Sequence, residues 1–146
     1  MNPYLKGNNA YKKAAVTTKD QGSLIIMLYD GAIRFLKVAE KKIIDNDIEG
    51  SHTNITKAKN IISELMGSLK VERGGKIAKD LKALYGYMYN RLIDANIQKK
   101  HGYVAEVIEL MTELRQGWKA LSTQKKTTAA NSFNSRSVVK PLNIRG

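Results

Sequence analysis

The apolar residues between Thr18 and Leu121 recur every three or four positions, in four stretches separated by short polar breaks. At about 100° of turn per residue, that spacing gives each stretch one apolar face, which suits helices and not strands. The first stretch holds "LIIMLYDGAIRFL", Leu24 to Leu36, in which Asp30-Gly31 is by type a hairpin signal. A hairpin needs alternation on both flanks, and "LIIMLY" does not alternate. The stretch reads as helix. Leu24, Leu28, Ala32, Phe35, Leu36, Ala39 and Ile43 take its inner face, with Asp30, Arg34, Lys37 and Lys41 opposite. Asp30 and Arg34, one turn apart, form an i,i+4 pair.

Thr18 with Gln21 fits a capping box for this helix. "NDIEGS" restarts the chain with Asp47 as N-cap, and Ile48, Ile55, Ala58, Ile62, Leu65, Met66 and Leu69 make a second face. "RGGK", Arg73 to Lys76, breaks that pattern. A third face follows on Ile77, Leu81, Leu84, Tyr85, Met88, Leu92 and Ala95. "KKHG" closes it with cations and a glycine, and a fourth face uses Val104, Val107, Ile108, Met111, Leu114 and Trp118. Four amphipathic helices with short connections predict an all-α fold, an antiparallel up-down-up-down four-helix bundle over residues 18–121. Residues 1–17 read as an irregular N-terminal arm, and the polar, aperiodic residues 122–146 as a disordered tail.

The chain carries a formal charge of +12, of which residues 122–146, with five Lys/Arg and no acid, hold +5. It has no Cys, which removes disulfides and thiol chemistry. No stretch approaches the roughly 18 apolar residues of a membrane span, and the N-terminus lacks the apolar run of a signal peptide. A cytoplasmic protein without membrane insertion is expected. The two histidines, His52 and His101, are far apart, and no Glu-x-x-His spacing offers a metal a face. No catalytic constellation is present, so neither enzyme activity nor a cofactor or metal is expected.

The first helix has more apolar surface than one core face uses. Ile26, Ile33 and Ile44 lie roughly 100–150° round from Leu28 and Phe35, with Tyr29 and Leu36 between, so the apolar arc is about 200° wide against the ≳100° one face needs. The third helix repeats this with a flank of Gly86, Tyr89 and Ile93, where the glycine suits close approach of another backbone. Ile61 lies about 90° off the centre of the second stripe. Surplus apolar surface at helical spacing suits an amphipathic partner segment. The plain alternative is that the arm (Tyr4, Leu5, Tyr11, Val16) or the tail (Phe133, Val138, Val139, Leu142, Ile144) covers it.

"MNPY", Tyr11, "LIIMLYDGAIRFL", "KAKNIISELMGSL", "GGKIAKDLKALYGYMYNRLIDAN" and "ELRQGWKAL" occur in that order from Met1 to Leu121. Together they resemble the flagellar export chaperone family FliS. The resemblance implies a cytosolic helical-bundle chaperone, without enzyme activity, for the C-terminal disordered segment of flagellin. Such a chaperone prevents premature polymerisation and supports delivery to the type III export apparatus, with export-gate components or a co-chaperone as further partners. It also implies that Tyr29, Tyr87 and Tyr89 border the groove, and that Tyr4 and Tyr11, with Leu5, belong to an arm lying over it. The expected partner-binding set is thus Ile26, Tyr29, Ile33, Ile61, Tyr87, Tyr89 and Ile93. The competing class is a basic helical nucleic-acid-binding module using Lys57, Lys59, Lys76, Lys79, Lys82 and the tail cations. No recognition helix or stacking motif supports it, and nucleic acid is not the expected partner.

Overall fold

The described residues form four helices: α1 (Gln21–Ile44), α2 (Ile48–Gly67), α3 (Val71–Gln98) and α4 (His101–Ala130). The computed structural model describes residues 21–69 and 71–130. The Thr18 capping box, the arm residues Tyr4, Leu5 and Tyr11, and the tail beyond Ala130 lie outside the described residues.

Local chemistry sets the helix ends. Asn46 takes a positive φ of 62°, and the amides of Asn46 and Asp47 donate back to the Ile43 and Lys42 carbonyls at 3.0 and 2.8 Å. This is a Schellman closure with asparagine in the left-handed position. Asp47 then caps α2 as the sequence predicts, its side chain accepting from the Gly50 amide at 2.8 Å. A β carbon on residue 50 would lie 2.6 Å from Asp47 Oδ2, so this cap needs glycine. At the end of α3 the left-handed residue is Lys99 (φ 52°), not the expected Gly102, and the Lys100 amide returns to the Ala95 carbonyl at 3.2 Å.

Cross-helix pairs fix the topology. Gly31 meets Ile61, and Lys57 sits over Phe35, across α1–α2. Asn96 meets His52, and Lys59 lies over Tyr89, across α2–α3. Tyr87 bonds Glu106 while Arg91 stacks on Tyr103 across α3–α4, and Tyr29 meets Trp118 while Asp30 joins Arg115 across α1–α4. In each pair of helices residue numbers rise on one as they fall on the other, so neighbours run antiparallel. The result is the up-down-up-down bundle.

The core follows the predicted stripes through Leu28, Leu36, Ile55, Ile62, Leu65, Tyr85, Met88, Leu92, Val104, Val107 and Met111, all buried. Four details differ from the expectations. Phe35 is only partly buried, with Arg34 and Lys57 both over its ring at 5.5 and 5.3 Å. Asp30 pairs with Arg115 rather than with Arg34. Ile48 and Ile77, at helix starts where no neighbour covers them, are 65% and 74% exposed. And the two ends flanking the third and fourth helices move. Helix α3 begins at Val71, with the expected break surviving as a non-helical Gly75 (φ 61°, ψ −138°), and α4 continues through Ser122 to Ala130.

Candidate partner-docking surfaces

A bundle helix has two neighbours and a diagonal partner, and what its side chains reach decides which surface remains. Tyr29 reaches the diagonal. Its hydroxyl lies 2.6 Å from that of Tyr85 on α3, and Trp118 Nε1 on α4 donates to it at 3.2 Å. Burial pushes both phenols to ionise later than an ordinary tyrosine. Tyr29 has no exposed surface and Ile61 is 3% exposed, packed where α1 and α2 approach at Gly31. In this structure neither of these two expected partner-binding side chains presents surface to a partner. They are core, because the wide apolar arc of α1 and the off-centre isoleucine of α2 are spent on helix–helix contacts.

The other five expected residues occupy three different flanks. Ile26 and Ile33 are half-buried on α1, about 20° apart round the helix and beside Asp30, which bonds Arg115 of α4 through both carboxylate oxygens. This flank faces α4. Tyr89 and Ile93 are half-buried on the flank of α3 that faces α2, where Lys59 lies 5.4 Å over the Tyr89 ring. Gly86, about 60° round the helix from Tyr89 and about 20° from Ile93, has open space rather than an approaching backbone within the bundle. Tyr87 points the other way, toward α4. It is 44% exposed, and its hydroxyl donates to Glu106 Oε2, which holds the phenol above its ordinary range. The same bond, with Arg91 Nε at 2.8 Å, holds the Glu106 carboxyl below its ordinary range. Tyr87 and Tyr89 therefore do not share a groove.

One concave apolar site exists that the sequence reading missed. At the end of the bundle where α1 and α3 begin, a pocket of about 420 Å³ is lined by Ile25, Leu65, Leu69, Ile77, Ala78, Leu81, Tyr85 and Trp118. Ser68 and Gly74 complete it, and the Ser68 hydroxyl is already engaged on the Leu65 carbonyl at 2.7 Å. The sequence pattern assigns Leu65, Leu69, Ile77, Leu81, Tyr85 and Trp118 to core stripes and Gly74 to a break, and assigns Ile25, Ser68 and Ala78 to neither. The available signal was the sole tryptophan, placed near the end of the last apolar face where the other helices run out. Exposed Met27 and Val38 on the outer side of α1 add a thin apolar strip. Among the described residues no cluster of His, Cys, Asp or Glu is arranged for a metal, and no helix is long and apolar enough to cross a membrane. Of the lysines grouped for nucleic acid, Lys57 and Lys59 lie over aromatic rings and Lys76 pairs with Asp80.

A family model described as flagellar protein FliS matches residues 4–125. The chain belongs to the FliS family. Relatives named flagellar secretion chaperone FliS confirm the match along most of both chains. The one from Bacillus subtilis (strain 168) is 37% identical over 126 residues, 86% of this chain and 90% of the relative. Those from Escherichia coli (strain K12) and Salmonella typhimurium are 36% and 35% identical, over 78% and 75% of this chain and 88% and 82% of their own. The FliS match runs from Tyr4 in the arm to residue 125 within α4, and it stops before the last 21 residues of the chain.

Proposed function

We propose that this chain is a cytoplasmic export chaperone that holds the disordered C-terminal segment of flagellin, keeps it from polymerising prematurely and supports its delivery to the flagellar type III export apparatus. Membership of FliS, whose relatives are named flagellar secretion chaperones, carries the reading. The distribution of apolar surface supports its form. Ile26 and Ile33, Tyr89 and Ile93, Tyr87 and the end pocket lie on separate sides of the bundle. A partner meeting them all runs across the bundle in an extended wrap instead of filling one groove. Flagellin's helix-forming end suits that, because an unfolded segment can lay successive apolar turns on successive flanks. The arm residues Tyr4, Leu5 and Tyr11 are proposed to cover part of this surface until the partner displaces them. Export-gate components or a co-chaperone would meet the complex rather than the free bundle.

The test is a titration of the full chain with a flagellin C-terminal peptide, read by circular dichroism and by calorimetry at several temperatures. One-to-one binding with helix gained is expected, and a strongly negative heat-capacity change, since coupled folding typically buries on the order of 1,000–3,000 Å². Affinity that collapses between about 50 and 200 mM salt would instead mark counterion release and a polyanion site. Binding without helix gain or heat-capacity change would remove the wrap.

A further inference from the structure

We infer that the C-terminal segment, residues 131–146, folds back and seats its aliphatic residues Val138, Val139 and Leu142 in the apolar pocket at the end of the bundle. The inference stands on the chain's own chemistry and does not depend on what else the bundle binds. The pocket is dry in character. Its lining is aliphatic and aromatic apart from Ser68, whose hydroxyl already has a partner. At about 420 Å³ it is large enough for a small ligand, and it lies open at the end where α4 passes out of the bundle.

Reach selects the segment and the residues within it. With Tyr29 against Trp118 and Asp30 against Arg115, the start of α1 lies level with about residue 125 of α4. Helix α4 runs on to Ala130, so the chain leaves it about 18 Å beyond Trp118, at 1.5 Å per residue. Phe133, three residues further, spans at most about 10 Å and cannot return that far. Val138 and Val139 span about 27–30 Å and can. Lys140-Pro141 keeps this stretch extended rather than helical.

Chemistry selects this segment over the arm. The arm's large side chains, Tyr4 and Tyr11, would carry two hydroxyls against a mostly apolar lining whose polar side chains, Ser68, Tyr85 and Trp118, are already hydrogen-bonded, whereas Val138, Val139 and Leu142 bring no polar atom. The FliS match covers the arm but ends at residue 125, so a plug formed by residues 131–146 is an addition of this chain to the shared bundle.

Trp118 is the only tryptophan, so its fluorescence reads the pocket directly. In the full chain its emission should be blue-shifted and protected from acrylamide. Ending the chain after Ala130 should shift it red and raise quenching, and V138D/L142D should do the same while F133S does not. A peptide of residues 131–146 should restore protection only near millimolar concentration, the effective concentration that the short link supplies in cis. If removing residues 1–17 exposes Trp118 and removing 131–146 does not, the arm is the occupant and the inference fails. It fails equally if protection depends on protein concentration, which marks a second copy, or if neither truncation changes the emission.

Discussion

Replacing Tyr29 by Phe removes one oxygen from a site with almost no water, and the loss should be read through its partner. The Tyr29 and Tyr85 hydroxyls are 2.6 Å apart on side chains that are 0% and 1% exposed. The rings tilt at 59° with centroids 6.5 Å apart, so phenylalanine fills either place without a cavity. Tyr29→Phe takes from the Tyr85 oxygen its 2.6 Å partner and leaves it only Trp118 within reach, a loss worth about 1–3 kcal/mol. Tyr85→Phe leaves the Tyr29 oxygen its bond from Trp118 Nε1 at 3.2 Å, so its cost falls toward the lower end of that range. Changing both removes donor and acceptor together, which is close to neutral for a buried pair. The half-buried indole loses its Tyr29 acceptor in Tyr29→Phe and in the double variant alike, so that loss cancels from the coupling. The double variant should therefore cost less than the sum of the singles by about 0.5–3 kcal/mol, the range of direct couplings. Denaturant unfolding followed by circular dichroism measures all four proteins, provided the slope m stays constant. Additivity within about 0.5 kcal/mol would show that the two hydroxyls do not act as a pair, and the account of Tyr29 as a diagonal tie would be wrong.

Alkali should find the same site. Both phenols ionise later in the fold than the ordinary value near 10, so the stability they contribute is complete below about pH 10 and is lost as the pH rises through their folded values. Melting temperature against pH should fall less steeply above about pH 10 in the double phenylalanine variant than in the natural chain. Gly31→Leu should destabilise the fold by about 1–3 kcal/mol in thermal or denaturant unfolding, because even a β carbon there lies 3.3 Å from Ile61 Cδ1. Gly75→Ala should cost about 1–3 kcal/mol for its backbone alone, since φ 61° with ψ −138° suits only glycine and a β carbon there meets nothing else. Restored stability in Gly75→Asn would point to a relaxed turn instead.

Much of the fold was legible because helix period is a local property. Asp47 announces its cap by residue type, and Leu28, Ile55, Met88 and Val107 fall on faces that the structure buries. What local pattern does not carry is which neighbour a flank will meet. Asp30 and Arg34 have ideal spacing for a pair within α1, yet the structure gives Asp30 to Arg115, 85 residues away, and Arg34 to the Phe35 ring. Lys99 took the left-handed position beside a nearby glycine because its side chain reaches Ser51 and Asn96 at 2.9 and 2.6 Å, contacts Gly102 could not make.

The same limit explains the apolar arc of α1. A stripe of about 100° is enough for a helix lying on one surface, but α1 packs on α2, on α4 and across the diagonal. Gly31 touches α2, and Tyr29 lies about 160° further round and touches both α3 and α4. Between them Leu28, Ala32, Leu36, Ala39 and Ile43 are buried and Phe35 partly so, which accounts for most of an arc about 200° wide. What remains beyond Tyr29 is the narrow flank of Ile26 and Ile33, about 40–60° further round and half-covered already. A partner gains only the uncovered half of those side chains. Apolar burial scales with area, at about 25 cal/mol per Å². No single flank of this bundle can then dominate binding, and affinity has to be gathered from several flanks at once, which an extended segment does and a folded one does not.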